Sequence, residues 1–302
     1  MLDSIQKHSE NLLKHPGSVV AVALGTTALT LDHFFGIHES HSRRNNPEFY
    51  AVRPGVRALG ALAILPGCQT DGENYFETIR SRLPDRTVVG VDYPKHGFDI
   101  EQVCEGLADN LLRARVEHPS LLCQSMGGMV MRQFMQYADQ TGLAERVGGF
   151  GTVVLDSSPF DSSDIRTSYQ VLLTAASAGH YSWAADHLKR KVYSSLRGSG
   201  ANAHLDTIYG EGRYMKRMHD DQPLPAIMDR VIYVHGPYDP VINSDQAVVK
   251  YEAVAPADTF LRIVDERRPA SSHTAGGPHL DTLLKLTEQK DVSYAPLEML
   301  TA

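Results

Sequence analysis

One short stretch constrains this chain more than any other: Leu121-Leu122-Cys123-Gln124-Ser125-Met126-Gly127-Gly128-Met129-Val130. A short apolar run, the mark of a buried strand, leads into a serine flanked by small residues. A helical apolar pattern begins at once after it. This has the form of a nucleophile elbow, G-x-S-x-G, with Cys123 in the place of the first glycine. A strand-to-helix turn that sharp tolerates only small side chains two residues before and two after its centre. The plain alternative is a glycine-softened turn with no chemistry, and the rest of the chain decides between the two.

From residue 59 the pattern is regular. Leu59 to Leu65 is a continuous apolar run, as in a strand buried on both faces. A helix follows, with Tyr75, Phe76, Ile79 and Leu83 on one face. Val88 to Val91 reads as a strand, and Ile100, Val103, Cys104, Leu107 and Leu111 recur at helical spacing. After the serine a helix carries Met126, Val130, Phe134 and Tyr137. Gly151–Leu155, Val231–Val234 and Phe260–Val264 read as further strands, and a last helix starts near Leu280. Alternation of this kind predicts βαβ units: an α/β protein with a mostly parallel open sheet and helices on both faces. Between Pro159 and Arg230 no strand is predicted, only helical stretches over 168–177, 183–196 and 204–219. An interval of that length inside a sheet protein reads as a helical cap. The expected organisation is an N-terminal apolar segment and polar linker over 1–48, a core over 49–159 and 229–302, and a cap over 160–228.

Composition narrows the function classes. The 302 residues carry a net charge of −7, and no cluster of Lys and Arg stands out, which argues against a nucleic-acid partner. The cysteines, Cys68, Cys104 and Cys123, fit neither a disulfide framework nor zinc spacing. They point to a reducing, cytoplasmic setting. Residues 16–31 hold no charge but are shorter than a spanning helix needs. A buried or partner-facing segment is expected there, with membrane association through residues 16–31, or export, as the alternative. His33, His38 and His41 lie close together but match no metal-ligand spacing.

In an open α/β sheet, reacting groups collect at the carboxyl ends of the strands. Those ends supply Ser125, then Asp156, then Asp239 in His235-Gly236-Pro237-Tyr238-Asp239-Pro240, and finally His273 and His279. A serine hydroxyl needs a base in hydrogen-bond reach, and that base needs a third group to fix its tautomer. Serine, aspartate and histidine occur here in that chain order.

Over roughly residues 50–290 the chain resembles the α/β-hydrolase superfamily, in its capped serine esterase/lipase type. Cys123-Gln124-Ser125-Met126-Gly127 resembles the elbow. Asp92-Tyr93-Pro94-Lys95-His96-Gly97 resembles the D-x-P-G-x-G turn, with Lys95 for a glycine. Gly236-Pro237-Tyr238-Asp239-Pro240-Val241 resembles the acid segment. Gly276-Gly277-Pro278-His279 resembles the G-G-H base segment with one extra proline. The usual H-G after the first predicted strand is replaced by Pro66-Gly67.

The resemblance implies Ser125 as nucleophile, His279 as base and Asp239 as acid. It places the backbone N–H groups of Met126 and Cys68 in an oxyanion hole. Asp156 is the rival acid and His273 the rival base; His279 is preferred because it lies just ahead of the final helix. Cys68 and Cys123 are read as structural, His96 and His235 as structural or solvated. The implied reaction is ester hydrolysis through an acyl-enzyme, on a small-molecule or lipid ester, with no metal and no organic cofactor. Thioesterase, amidase and cofactor-free haloperoxidase activities use the same triad, as do carbon–carbon bond hydrolases, and the fold also serves as a non-catalytic binding module. Tyr181, Trp183, Tyr209 and Tyr214 are candidates for the cap lining.

Overall fold

The structure, a computed structural model, describes residues 47–53, 60–68, 70, 72–94, 98–167, 211, 214, 215, 217, 218, 222–269, 272–274 and 276–288. Seven strands form one sheet: β1 (Glu48–Val52), β2 (Ala61–Leu65), β3 (Thr87–Asp92), β4 (Ser120–Gln124), β5 (Phe150–Asp156), β6 (Met228–His235) and β7 (Phe260–Val264). Their order is β1-β3-β2-β4-β5-β6-β7. β1 runs antiparallel to β3, and every other pairing is parallel. Among the described residues six α-helices accompany them: α1 (Gly72–Arg80), α2 (Ile100–Arg113), α3 (Met126–Gln140), α4 (Leu143–Val147), α5 (Ser244–Val254) and α6 (Pro278–Leu286).

The predicted mostly parallel sheet is therefore present, and its continuous apolar runs have a simple cause. Successive strand residues point to opposite faces, and both faces are covered. Ala63, Leu65, Leu121 and Cys123 face one core, where α2, α3 and α5 pack through Val103, Leu107, Met129, Val130, Phe134 and Tyr251. Leu62, Ile64 and Leu122 face the other, closed by Tyr75, Phe76 and Ile79 of α1 and Leu280, Leu283 and Leu284 of α6. α2 starts where Asp99 caps it, its side chain accepting from the N–H groups of Glu101 and Gln102. Leu83, expected on α1, lies beyond the helix end but is still buried.

β1, α4 and α5 were not anticipated. β1 begins at Glu48, the last residue assigned above to the linker. The beginning of the expected cap interval is tied to the core. Lys250 of α5 bonds Asp161 and Asp164, and Ile165 bridges Ile242. Residues 168–210, with most of the expected cap, lie outside the described residues, as do residues 1–46. Among the described residues no helix is long and apolar enough to cross a membrane, and no cluster of potential metal ligands occurs.

Candidate active site

Ser125 sits between β4 and α3 with φ 49° and ψ −119°. A non-glycine residue there is strained, and such strain survives only where the surroundings over-determine it. The surroundings do so. The Ser125 N–H donates to the Asp156 carbonyl at 2.9 Å, which ties the elbow to the end of β5. A Cβ on Gly127 would meet the Leu65 carbonyl oxygen at 2.1 Å and the Pro66 oxygen at 2.9 Å. The end of β2 thus runs directly against the turn, and only glycine allows it. Gly127→Ala should lose roughly 2–4 kcal/mol of stability, because backbone atoms on both sides must part. Urea denaturation measures this, and a loss under about 1 kcal/mol would contradict the close approach.

The histidine that reaches Ser125 is His273. Its Nε2 lies 2.8 Å from Ser125 Oγ. Its Nδ1 lies 3.0 and 2.9 Å from the two oxygens of Asp239. His279, the expected base, is elsewhere: its Nδ1 is 2.6 Å from Asp265 Oδ2. The reason is geometric. His279 belongs to the first turn of α6, which begins at Pro278, and the helix holds it beside the end of β7. His273 lies on the loop between β7 and α6, which carries it over the strand ends to Ser125. The local Gly-Gly-Pro-His pattern gave no hint of this difference in reach.

The carboxylate that faces His273 belongs to Asp239. It is 5 % exposed. Its Oδ1 accepts from the N–H groups of Val241 and Ile242 at 2.8 and 2.9 Å. Arg166 donates to its carbonyl at 2.7 Å. Burial alone would raise its carboxyl. The adjacent His273 and the two backbone N–H groups outweigh this and hold it below the usual carboxylate range. A carboxylate facing Nδ1 requires the hydrogen on Nδ1. Nε2 is then free to accept the Ser125 hydroxyl hydrogen.

The rival acid, Asp156, is fully buried and bonded to Arg268 at 2.6 Å. Cys123 lies in the core and its thiol is pushed well up by burial, which suits a structural residue. His235 is likewise occupied: burial holds it below its ordinary value, Nδ1 faces the Gly236 carbonyl and Nε2 accepts from Arg262. His96 lies outside the described residues. Of the aromatic residues proposed for the cap lining, Tyr214 is described, and it stacks on Phe98 with ring centroids 4.6 Å apart. Tyr181, Trp183 and Tyr209 lie outside the described residues.

Met126 opens α3, so its N–H has no partner within the helix. A Cβ on Gly67 would touch Ser125 Cβ at 3.1 Å. The chain entering Cys68 therefore passes alongside Ser125.

No protein-family model matches this chain, and no curated protein matches it by sequence. Solved structures do. An esterase from Exiguobacterium antarcticum is similar with a TM-score of 0.55 at 17% identity, over 80% of this chain and 92% of that one. An α/β-hydrolase enzyme from a Medee basin deep-sea metagenome library is similar with a TM-score of 0.56 at 11% identity, over 82% and 97%. The type II thioesterase BorB of the borrelidin biosynthetic cluster is similar with a TM-score of 0.51 at 16% identity, over 74% and 88%. With the strand order and the elbow, these likenesses show that the chain has the α/β-hydrolase fold.

Proposed function

We propose that this protein is a serine hydrolase that cleaves carboxylic esters through an acyl-enzyme. The observation that carries this reading is the relay from Ser125 through His273 to Asp239, with 2.8 Å at one end of the imidazole and 2.9 Å at the other. Ser125 Oγ attacks the acyl carbonyl as its proton passes to His273 Nε2. Asp239, ionised at neutral pH, stabilises the imidazolium that forms. His273 then gives the proton to the departing alkoxide. Water repeats the sequence on the acyl-serine, releasing the acid. The N–H groups of Met126 and Cys68 are assigned to the oxyanion, where each donor is worth on the order of a hundredfold or more in rate. No step calls on a metal or an organic cofactor. The similar structures include an esterase and a thioesterase, in agreement with acyl transfer to water.

The test is a fluorophosphonate probe with wild-type protein and Ser125→Ala. The wild type should be labelled and should hydrolyse nitrophenyl esters; the variant should do neither. An unlabelled wild type, or a labelled Ser125→Ala, overturns the reading. A chain-length series of the same esters then separates short-acyl from lipid substrates.

A further inference from the structure

Beneath the relay lies a buried ion pair that the chemistry above does not use. Asp156 closes β5 and is 0 % exposed; Arg268, just beyond β7, is 2 % exposed. Among the described residues the guanidinium's hydrogen bonds all come from one nitrogen, Nη1. It lies 2.6 Å from Asp156 Oδ1, 3.0 Å from Ser157 Oγ and 3.3 Å from the His273 carbonyl oxygen. Among the described residues the other two nitrogens, both buried, have no hydrogen-bond partner. Asp156 also accepts the Ser125 N–H on its backbone carbonyl. A single residue thus holds the nucleophile by its main chain and, through Arg268, the base by its main chain.

We propose that the Asp156–Arg268 pair is a positioning device that sets the separation of Ser125 and His273. The idea rests on the serine hydrolase reading of the same site. A buried ion pair is poor evidence for stability, since an apolar replacement of both partners is often as stable or more so. Removing one partner is costly because it strands the other charge. What this pair supplies instead is direction. His273 stands on a loop, and one charge-assisted donor ties that loop to the strand end behind the nucleophile. Displacement of a reacting group by about 1 Å can cost on the order of a hundredfold in rate.

The experiment separates position from stability. Arg268→Met should lower both melting temperature and kcat, the latter by roughly 30- to 100-fold, with KM little changed. The double variant Asp156→Leu/Arg268→Met removes both charges. Its melting temperature should return toward wild type while its kcat stays at least about tenfold low. Arg268→Lys keeps a cation in place of Nη1 on a shorter stem, and its kcat should fall between wild type and Arg268→Met. If Arg268→Met does not fold, the double variant and Arg268→Lys carry the test. A double variant with kcat within about twofold of wild type overturns the proposal, and so does a loss confined to KM. Wild-type labelling at Ser125 is read alongside. Its absence would sink the hydrolase reading, whereas normal labelling with unaffected variants would sink only the positioning role.

Discussion

Replacing His273 with alanine should lower ester-hydrolysis kcat on the order of 10⁴- to 10⁶-fold, while His279→Gln should leave it within about tenfold. Both residues are part-buried histidines on a carboxylate, and both follow the last strand, His273 on the loop and His279 in the helix after it. Their difference lies at the far nitrogen. His273 turns Nε2 onto Ser125 Oγ; His279 spends Nδ1 on Asp265 from inside the first turn of α6. Without His273 no base is in place to take the serine proton, and what activity remains comes from the oxyanion donors and binding alone. Without the His279 imidazole, Asp265 keeps the N–H of Arg267 as a donor, so the expected loss is about 1–3 kcal/mol of stability, not rate. Steady-state kinetics and probe-labelling rates on the two variants decide the matter. A large kcat loss in His279→Gln with an active His273→Ala would reverse the assignment.

The parts of this site that were legible in the sequence are those that local chemistry dictates. Ser125 must sit among small residues because Leu65 and Pro66 pass within touching distance of Gly127, and that demand leaves a visible pattern. Asp239 stands in a turn whose next backbone N–H groups fold back onto its own carboxylate, so it too is locally encoded. The base is different. Whether residue 273 or 279 meets Ser125 depends on how far a loop reaches over the sheet, and no spacing rule carries that length. The same limit hid Arg268. It lies in Asp265-Glu266-Arg267-Arg268, a charged run that reads as solvated loop, yet its side chain is buried against Asp156. β1 is a half-exposed edge strand that opens on the charged Glu48, and its pairing with β3 is what defines it. α5 escaped notice because Ala247, Val248 and Val249 run together, and only the fold exposes Val249 while burying the other two.

Asp239→Asn should retain the fold and the distances of the relay yet lose on the order of 10⁴-fold in kcat, through the tautomer of His273. Oδ1 is fixed in its role by two backbone donors, the N–H groups of Val241 and Ile242. An asparagine keeps those bonds only by leaving its carbonyl oxygen in that place. Its NH₂ group then occupies the position of Oδ2, which faces His273 Nδ1 at 2.9 Å. A donor there forces Nδ1 to be the acceptor and moves the ring hydrogen to Nε2. Nε2–H can donate to Ser125 Oγ but cannot take its proton, so the nucleophile stays a hydroxyl. The imidazolium also loses the carboxylate that would stabilise it. Asp239→Ala removes the carboxylate without imposing the wrong tautomer, so it should cost less than Asp239→Asn even though it deletes more atoms. Kinetics of the two variants at neutral pH, with melting curves to establish that both are folded, provide the comparison. An Asp239→Asn variant with more than about a hundredth of wild-type kcat would mean that Asp239 does not set the tautomer of His273.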